Sequence, residues 1–233
     1  MKVYEWLKNN LFPPHCALCL APTTKQALCD DCHRDLPWLD SKQCSICALP
    51  LETTDAICGG CLQNPPSFDQ CKAIFRYHSP IDKLISEFKY EANLATGALL
   101  TDMLVSHLSR TSTPIPDLLI PMPLHSSRLQ ERGFNQATIM ATALSTHFNV
   151  KIDHHLCKRV RATGHQMGLN ARVRKKNLRH AFSCTQSVTD KSIAIIDDVV
   201  TTGATVNELA STLRRAGARH IEVWCLARTP AHT

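Results

Sequence analysis

Residues 192–217 constrain the fold more than any other stretch of the chain. Ser192-Ile193-Ala194-Ile195-Ile196 is an apolar run without alternation. A strand reads this way when both of its faces are covered, as in a parallel sheet. Asp197 and Asp198 are expected to end it, and Val199 to Thr205 form a polar loop containing Gly203. Val206, Leu209, Ala210 and Leu213 then recur at helical spacing. Arg214 and Arg215 suit the carboxyl end of that helix, and Gly217 suits the position just past it. His220 to Ala227 reads as the next strand. Upstream, Asp117 to Pro121 is a second short strand followed by a polar loop. A helix is expected from Gln136 to Phe148, with Ile139, Met140, Ala143 and Leu144 inward. Ile81–Lys89 and Leu94–Leu108 also read as helical, with a break near Asn93. Strand, loop and helix in alternation predict an α/β fold: a parallel sheet flanked by helices, with ligands at the carboxyl ends of the strands.

The loop itself has the chemistry of a sugar-phosphate site. Asp197 and Asp198, side by side at the end of a strand, can accept hydrogen bonds from vicinal ribose hydroxyls. Thr201, Thr202 and Thr205 offer hydroxyls. Gly203 lets the backbone turn around an oxyanion, and successive N–H groups at a helix start form an anion nest. An apolar strand ending in Asp-Asp also occurs in nucleoside triphosphatases, but that reading needs a G-x-x-x-x-G-K-[ST] loop. The chain has no Gly-Lys dipeptide and no G-x-G-x-x-G. The bland alternative is a buried strand followed by a capped helix.

A second module precedes this one. Eight of the 12 cysteines form four Cys-x-x-Cys pairs: Cys16/Cys19, Cys29/Cys32, Cys44/Cys47 and Cys58/Cys61. Nine residues separate the first two pairs and ten separate the last two, so the module is an internal repeat. A Cys-x-x-Cys turn sets two sulfurs roughly 3.5–4 Å apart, as two corners of a zinc tetrahedron. Two turns complete a closed structural site, whose metal replaces the core that so short a segment cannot build. Two structural Zn2+ ions with sequential ligation are expected. Disulfides are the alternative, and a redox pair would need a βαβ setting. Met1 to Pro14 lacks the continuous apolar stretch of a signal peptide and reads as a short amphipathic helix. A cytoplasmic protein with reduced thiols is therefore expected. No apolar run is long enough for membrane insertion. Cys71, Cys157, Cys184 and Cys225 read as ordinary buried residues.

Charge separates the two modules. Residues 1–71 carry 5 Lys/Arg against 8 Asp/Glu, and residues 72–233 carry 21 against 12. The boundary is therefore set at 71/72. The basic part should favour anionic partners. Between Asp153 and Asp190 there is no acidic residue, but there are Lys158, Arg159, Arg161, Arg172, Arg174, Lys175, Lys176 and Arg179. This stretch reads as a lid that neutralises pyrophosphate, as a surface that tracks single-stranded nucleic acid, or as a solvated basic face. His125 and His165 are acid/base candidates, although a lone loop histidine is more often neither acid nor base.

The strand, the Asp-Asp pair and Thr-Thr-Gly-Ala-Thr205 resemble the phosphoribosyl pyrophosphate (PRPP) motif of type I phosphoribosyltransferases. Ile120-Pro-Met-Pro-Leu124, Arg132-Gly-Phe-Asn-Gln136, Arg161-Ala-Thr-Gly-His-Gln166 and Asn170-Ala-Arg172, together with the preceding cysteines, resemble the ComF family in its double-zinc-ribbon form. That resemblance implies a PRPP or related phosphoribosyl ligand, held by Asp197, Asp198, Val199, Val200, Thr201, Thr202, Gly203, Ala204 and Thr205. It implies Mg2+ arriving with PRPP, and a leaving pyrophosphate stabilised by Arg128, Arg132, Arg161 and Arg172. It also implies a part in the uptake or use of external DNA (competence), with single-stranded DNA or a DNA-uptake protein as partners. The alternative is a non-catalytic nucleic-acid-binding accessory protein. A third reading has the acidic zinc module docking a partner protein or capping the site of its own chain.

Overall fold

The computed structural model describes residues 15–23, 27–39, 41–54, 56–111, 114–161 and 180–231. The expected helix over Met1 to Pro14, and His165 and Arg172, lie outside them. Two one-turn helices, α1 (Asp30–Arg34) and α2 (Gly59–Gln63), belong to the cysteine module. The rest runs β1 (Gln70–Arg76), α3 (Ile81–Tyr90), α4 (Leu94–Arg110), β2 (Leu118–Pro121), α5 (Ser126–Arg132), α6 (Gln136–Phe148) and β3 (Lys151–Ile152). It continues with β4 (Cys157–Arg159), β5 (Phe182–Cys184), β6 (Ser192–Val200), α7 (Ala204–Arg215) and β7 (His220–Arg228).

Five strands form one parallel sheet in the order β1-β7-β6-β2-β3. The expected parallel α/β architecture is what the chain adopts. In β6, Ile193, Ala194, Ile195 and Ile196 are all fully buried, which is why the run shows no alternation. Alternate side chains enter different cores. Ile193 and Ile195 pack with Val206, Leu209 and Leu213 of α7, whereas Ala194 and Ile196 join Phe88 of α3, Leu100 and Leu104 of α4 and Met140 and Leu144 of α6. One expectation needs correction. Asp197 and Asp198 do not end the strand, which continues through Val200 because Val199 and Val200 still pair with Ala227 and Arg228 of β7. β1 was not anticipated at all, and it pairs with β7 from Gln70 onward.

The strand order sets the position of the site. From β2 the chain moves outward to β3, and from β6 it moves the other way to β7 and its neighbour β1. The reversal leaves a crevice at the carboxyl ends of β2 and β6, where open α/β sheets bind ligands. β4 and β5 form a separate antiparallel pair. Among the described residues no helix is long and apolar enough to cross a membrane.

Candidate functional site

The crevice opens into a cavity of about 440 Å³. All nine residues from Asp197 to Thr205 line it. Gly203 sits at φ 76°, where L side chains are strained, and is the N-cap of α7 without a capping side chain of its own. The first turn of α7 therefore presents N–H groups and the positive end of its dipole to the cavity. The strand side carries the acid pair. Asp197 Oδ1 accepts from the Asp198 N–H at 3.0 Å, and Asp198 Oδ1 accepts from the Val199 N–H at 2.7 Å.

Lys89, at the end of α3, reaches this pair with its ammonium 2.9 Å from Asp198 Oδ1. Burial alone would lower its pKa, but the charge and hydrogen bond of Asp198, with Asp197 behind, raise it instead. Asp197 goes the other way from an ordinary carboxyl. Burial, then the charge of Asp198, push it up to about 7, against the pull of Lys89. Two carboxyls this close cannot both ionise cheaply, and one cation is shared between them. Replacing Lys89 with Met should cost about 3–5 kcal/mol at pH 8, because it strips a buried charge of its partner. The loss should shrink at pH 5, where a protonated Asp197 no longer needs the cation. Urea unfolding at the two pH values measures both.

The opposite wall is basic. Arg128 and Arg132 of α5 and Arg159 of β4 line the cavity. The Arg159 guanidinium is lowered by burial and by Arg128 beside it, while Asp197 across the site counters them. Its plane also lies over the Phe182 ring at 5.6 Å. Arg132 donates to Gln136 Oε1 at 3.3 Å and sits over the Tyr90 ring at 4.9 Å. Gln136, fully buried, donates in turn to the Lys89 carbonyl at 3.3 Å. Asn135 caps α6 through the Ala137 N–H and donates to the Met122 carbonyl at 3.1 Å, fastening the β2 loop to the helix start.

Placement of the sequence candidates is therefore uneven. Asp197 to Thr205, Arg128 and Arg132 converge on the cavity. Arg161 is exposed and is not among the lining residues. His125 caps α5, its Nδ1 accepting from the Ser127 N–H at 3.3 Å. Lys89, Arg159 and Tyr90 line the site without having been singled out for it.

The eight paired cysteines gather into two clusters in chain order, Cys16/Cys19/Cys29/Cys32 and Cys44/Cys47/Cys58/Cys61. Within each, the sulfurs all lie within 4.8 Å of one another. The Cys19–Cys29 and Cys47–Cys58 sulfurs are 3.7 and 3.6 Å apart. A tetrahedron with Zn–S near 2.3 Å has edges of roughly 3.8 Å, so the donor sets fit zinc. All 12 cysteines are free of disulfides. The repeat extends to the backbone. Leu20 and Ala48, each following the second cysteine of its turn, have φ near 60° (62° and 55°), and each donates its N–H to Cys16 or Cys44 four residues back at 2.9 Å. Cys29 and Cys58 each cap a one-turn helix by accepting from the N–H of Cys32 or Cys61. Burial pushes the Cys61 thiol up, and Cys47 and Cys58 push it further. Such crowding is relieved by a cation.

Comparison with known proteins agrees with both halves of this architecture. The double zinc ribbon domain matches residues 7–62, and the phosphoribosyl transferase domain matches residues 131–233. The DNA utilization protein YhgH of Escherichia coli O6:H1 is 37% identical over 93% of this chain and 98% of its own. Competence protein F of Haemophilus influenzae is 34% identical over 94% and 99%. The chain belongs to the ComF family. A more distant member, the competence protein ComFC of Bacillus subtilis, is 26% identical over 82% of this chain and 80% of its own. Family membership accounts for the order of the modules, ribbons first and transferase domain second.

Proposed function

We propose that this ComF protein binds PRPP in the cavity at the β2/β6 crevice and acts as a phosphoribosyltransferase-type protein in the use of external DNA. The carrying observation is the convergence of the start of α7, the acid pair of β6 and a facing basic wall within one cavity. Thr201 to Thr205 hold the 5′-phosphate through backbone N–H groups and hydroxyls. Asp197 and Asp198 accept from the ribose hydroxyls. Arg128, Arg132 and Arg159 face the pyrophosphate. Mg2+, which keeps waters and binds through one or two carboxylates plus phosphates, suits this donor set. Asp197 would hold it, since Asp198 already faces Lys89, and bound there it neutralises the diphosphate. Transfer would depend on positioning and charge stabilisation, with no covalent intermediate on the protein.

The DNA role follows from what the relatives' names say of them. Single-stranded DNA is the partner most compatible with the basic balance of residues 72–233. Calorimetric titration of PRPP with Mg2+ into the zinc-loaded chain tests the reading. Micromolar binding that disappears in an Asp197→Asn/Asp198→Asn variant is expected. Absence of binding to a folded parent would sink the ligand assignment and shift the weight to nucleic-acid binding without turnover. Turnover is then sought with nucleobases and single-stranded DNA as second substrates.

A further inference from the structure

β7 ends on Arg228, the only arginine in a strand whose other residues from Ile221 onward are buried. A cation at the end of a strand ordinarily reaches solvent, but Arg228 is 5% exposed. Its guanidinium joins three segments. Nε donates to the Cys47 carbonyl at 2.9 Å, inside the second cysteine cluster. One terminal nitrogen donates to the carbonyls of Val200 at 3.1 Å, Thr201, and Thr229 at 2.9 Å. Val200 and Thr201 are the last strand residue and the first loop residue before Gly203. The cysteine-module end of this bridge is itself tied to the sheet, because the Cys71 N–H donates to the Ile46 carbonyl at 2.7 Å.

We propose that Arg228 is a positioning residue for the 5′-phosphate loop, and that through it the second cysteine cluster is part of the foundation of that loop. The inference rests on the PRPP reading of the cavity and assigns it a support within the same chain. A carbonyl held by a guanidinium fixes the peptide plane it belongs to. The Val200 and Thr201 carbonyls share their peptide planes with the N–H groups of Thr201 and Thr202, so those N–H groups are oriented before a ligand arrives, and preorganisation of this kind is where much of an anion site's affinity lies. The planar fork is suited to the task. It offers five N–H donors in fixed directions, whereas an ammonium offers three from a single point. The metal chemistry is consistent with burial of the charge: four thiolates around one divalent cation leave the second cluster net negative, close behind Arg228.

The consequence is asymmetric. Arg228 touches the loop that faces the 5′-phosphate and none of the arginines that face the pyrophosphate. Ribose 5-phosphate and pyrophosphate, titrated separately by calorimetry into the zinc-loaded full chain, read the two ends of the site. Arg228→Met should weaken ribose 5-phosphate binding about 10- to 100-fold and change pyrophosphate binding less than about 2-fold. Arg228→Lys should recover part of the loss. Because the Met variant removes a buried group and can misfold, hydrogen exchange provides the second measurement. Amides 201–205 should exchange faster in Arg228→Lys than in the parent, with the exchange of β6 and β7 unchanged. Equal weakening of both ligands, or unchanged ribose 5-phosphate affinity and loop exchange, would overturn the assignment. Failure of the parent itself to bind ribose 5-phosphate would instead overturn the PRPP reading, and this inference with it. The two failures are told apart because the second shows before any variant is made.

Discussion

Asp197→Asn should be more stable than the parent above pH 7 and should bind PRPP more weakly. The two effects have one cause. The Asp197 carboxyl is pushed up to about 7 by burial and by Asp198, from an ordinary 3.8. The folded state therefore keeps a proton that the unfolded chain releases between those values. Stability of the parent falls as pH rises from about 4 through about 7 and then levels off. At about 1.4 kcal/mol per pKa unit the penalty reaches at most about 4 kcal/mol, and Lys89 is already counted within it. Asn carries no charge at any pH and avoids the penalty. The variant should match the parent below pH 4 and exceed it by a few kcal/mol at pH 8, as read from chemical unfolding across that range. It should also bind PRPP about 10- to 100-fold more weakly, since a neutral amide accepts ribose hydroxyls less strongly than a carboxylate does. A group that costs stability and is required for binding is what an active site holds under strain. A variant less stable than the parent at pH 8 would show instead that Lys89 and Arg159 hold Asp197 ionised, and that the acid pair is a structural ion cluster.

Much of this site could be read from the chain. The β6 run, the loop and the helix behind it follow one another in sequence, so their local signals add. The helix expected over Gln136–Phe148 has those bounds in the structure. The two cysteine clusters form in chain order because each half of the repeat closes on itself. The residues that were missed share a different property: their roles depend on where a chain segment crosses in space. Lys89 lies in the last turn of an amphipathic helix, a position that in sequence means solvent and dipole. Only the packing of α3 on the sheet aims it at Asp198. Arg228 closes an apolar strand and reads as a surface terminator. Arg159 was one cation among many in a basic stretch, and the β4/β5 pairing alone turns it inward. β1 begins nine residues after the last paired cysteine, and the polar Gln70, Lys72 and Arg76 within it obscure its apolar face. A signal for it does exist in Ala73-Ile74-Phe75, all buried.

Stripping the metal should expose the edge of the sheet and cause the protein to self-associate. β1 is the outer strand, and the cysteine module covers its free side. The Leu39 N–H donates to the Ile74 carbonyl at 2.8 Å, and the Arg76 N–H donates to the Pro37 carbonyl at 2.8 Å. Trp38 packs its ring 4.7 Å from that of Phe75. The module has few means of holding this cover in place without its ions, since metal binding is folding free energy in segments of this size, about 10–16 kcal/mol per site in zinc-finger peptides. A chelator should release two zinc ions per chain in two phases. The first cluster should empty faster, because Cys19 is exposed and Cys29 and Cys32 are half-buried, whereas all four sulfur residues of the second are buried. Most helical content should survive, because α3, α4, α6 and α7 pack on the five-stranded sheet, with α7 tied to the module only where Asn207 accepts from the Ser67 N–H and Arg214 meets Ser67 and Asp69. Light scattering should nonetheless rise with protein concentration, as the bared N–H and C=O row of β1 pairs with another chain. The second phase of metal release should coincide with that rise and with loss of ribose 5-phosphate binding, since Cys47 carries the Arg228 contact. A metal-free chain that stays monomeric would mean that the cover on β1 is held by its own packing, and the ribbons would then need a function outside this chain.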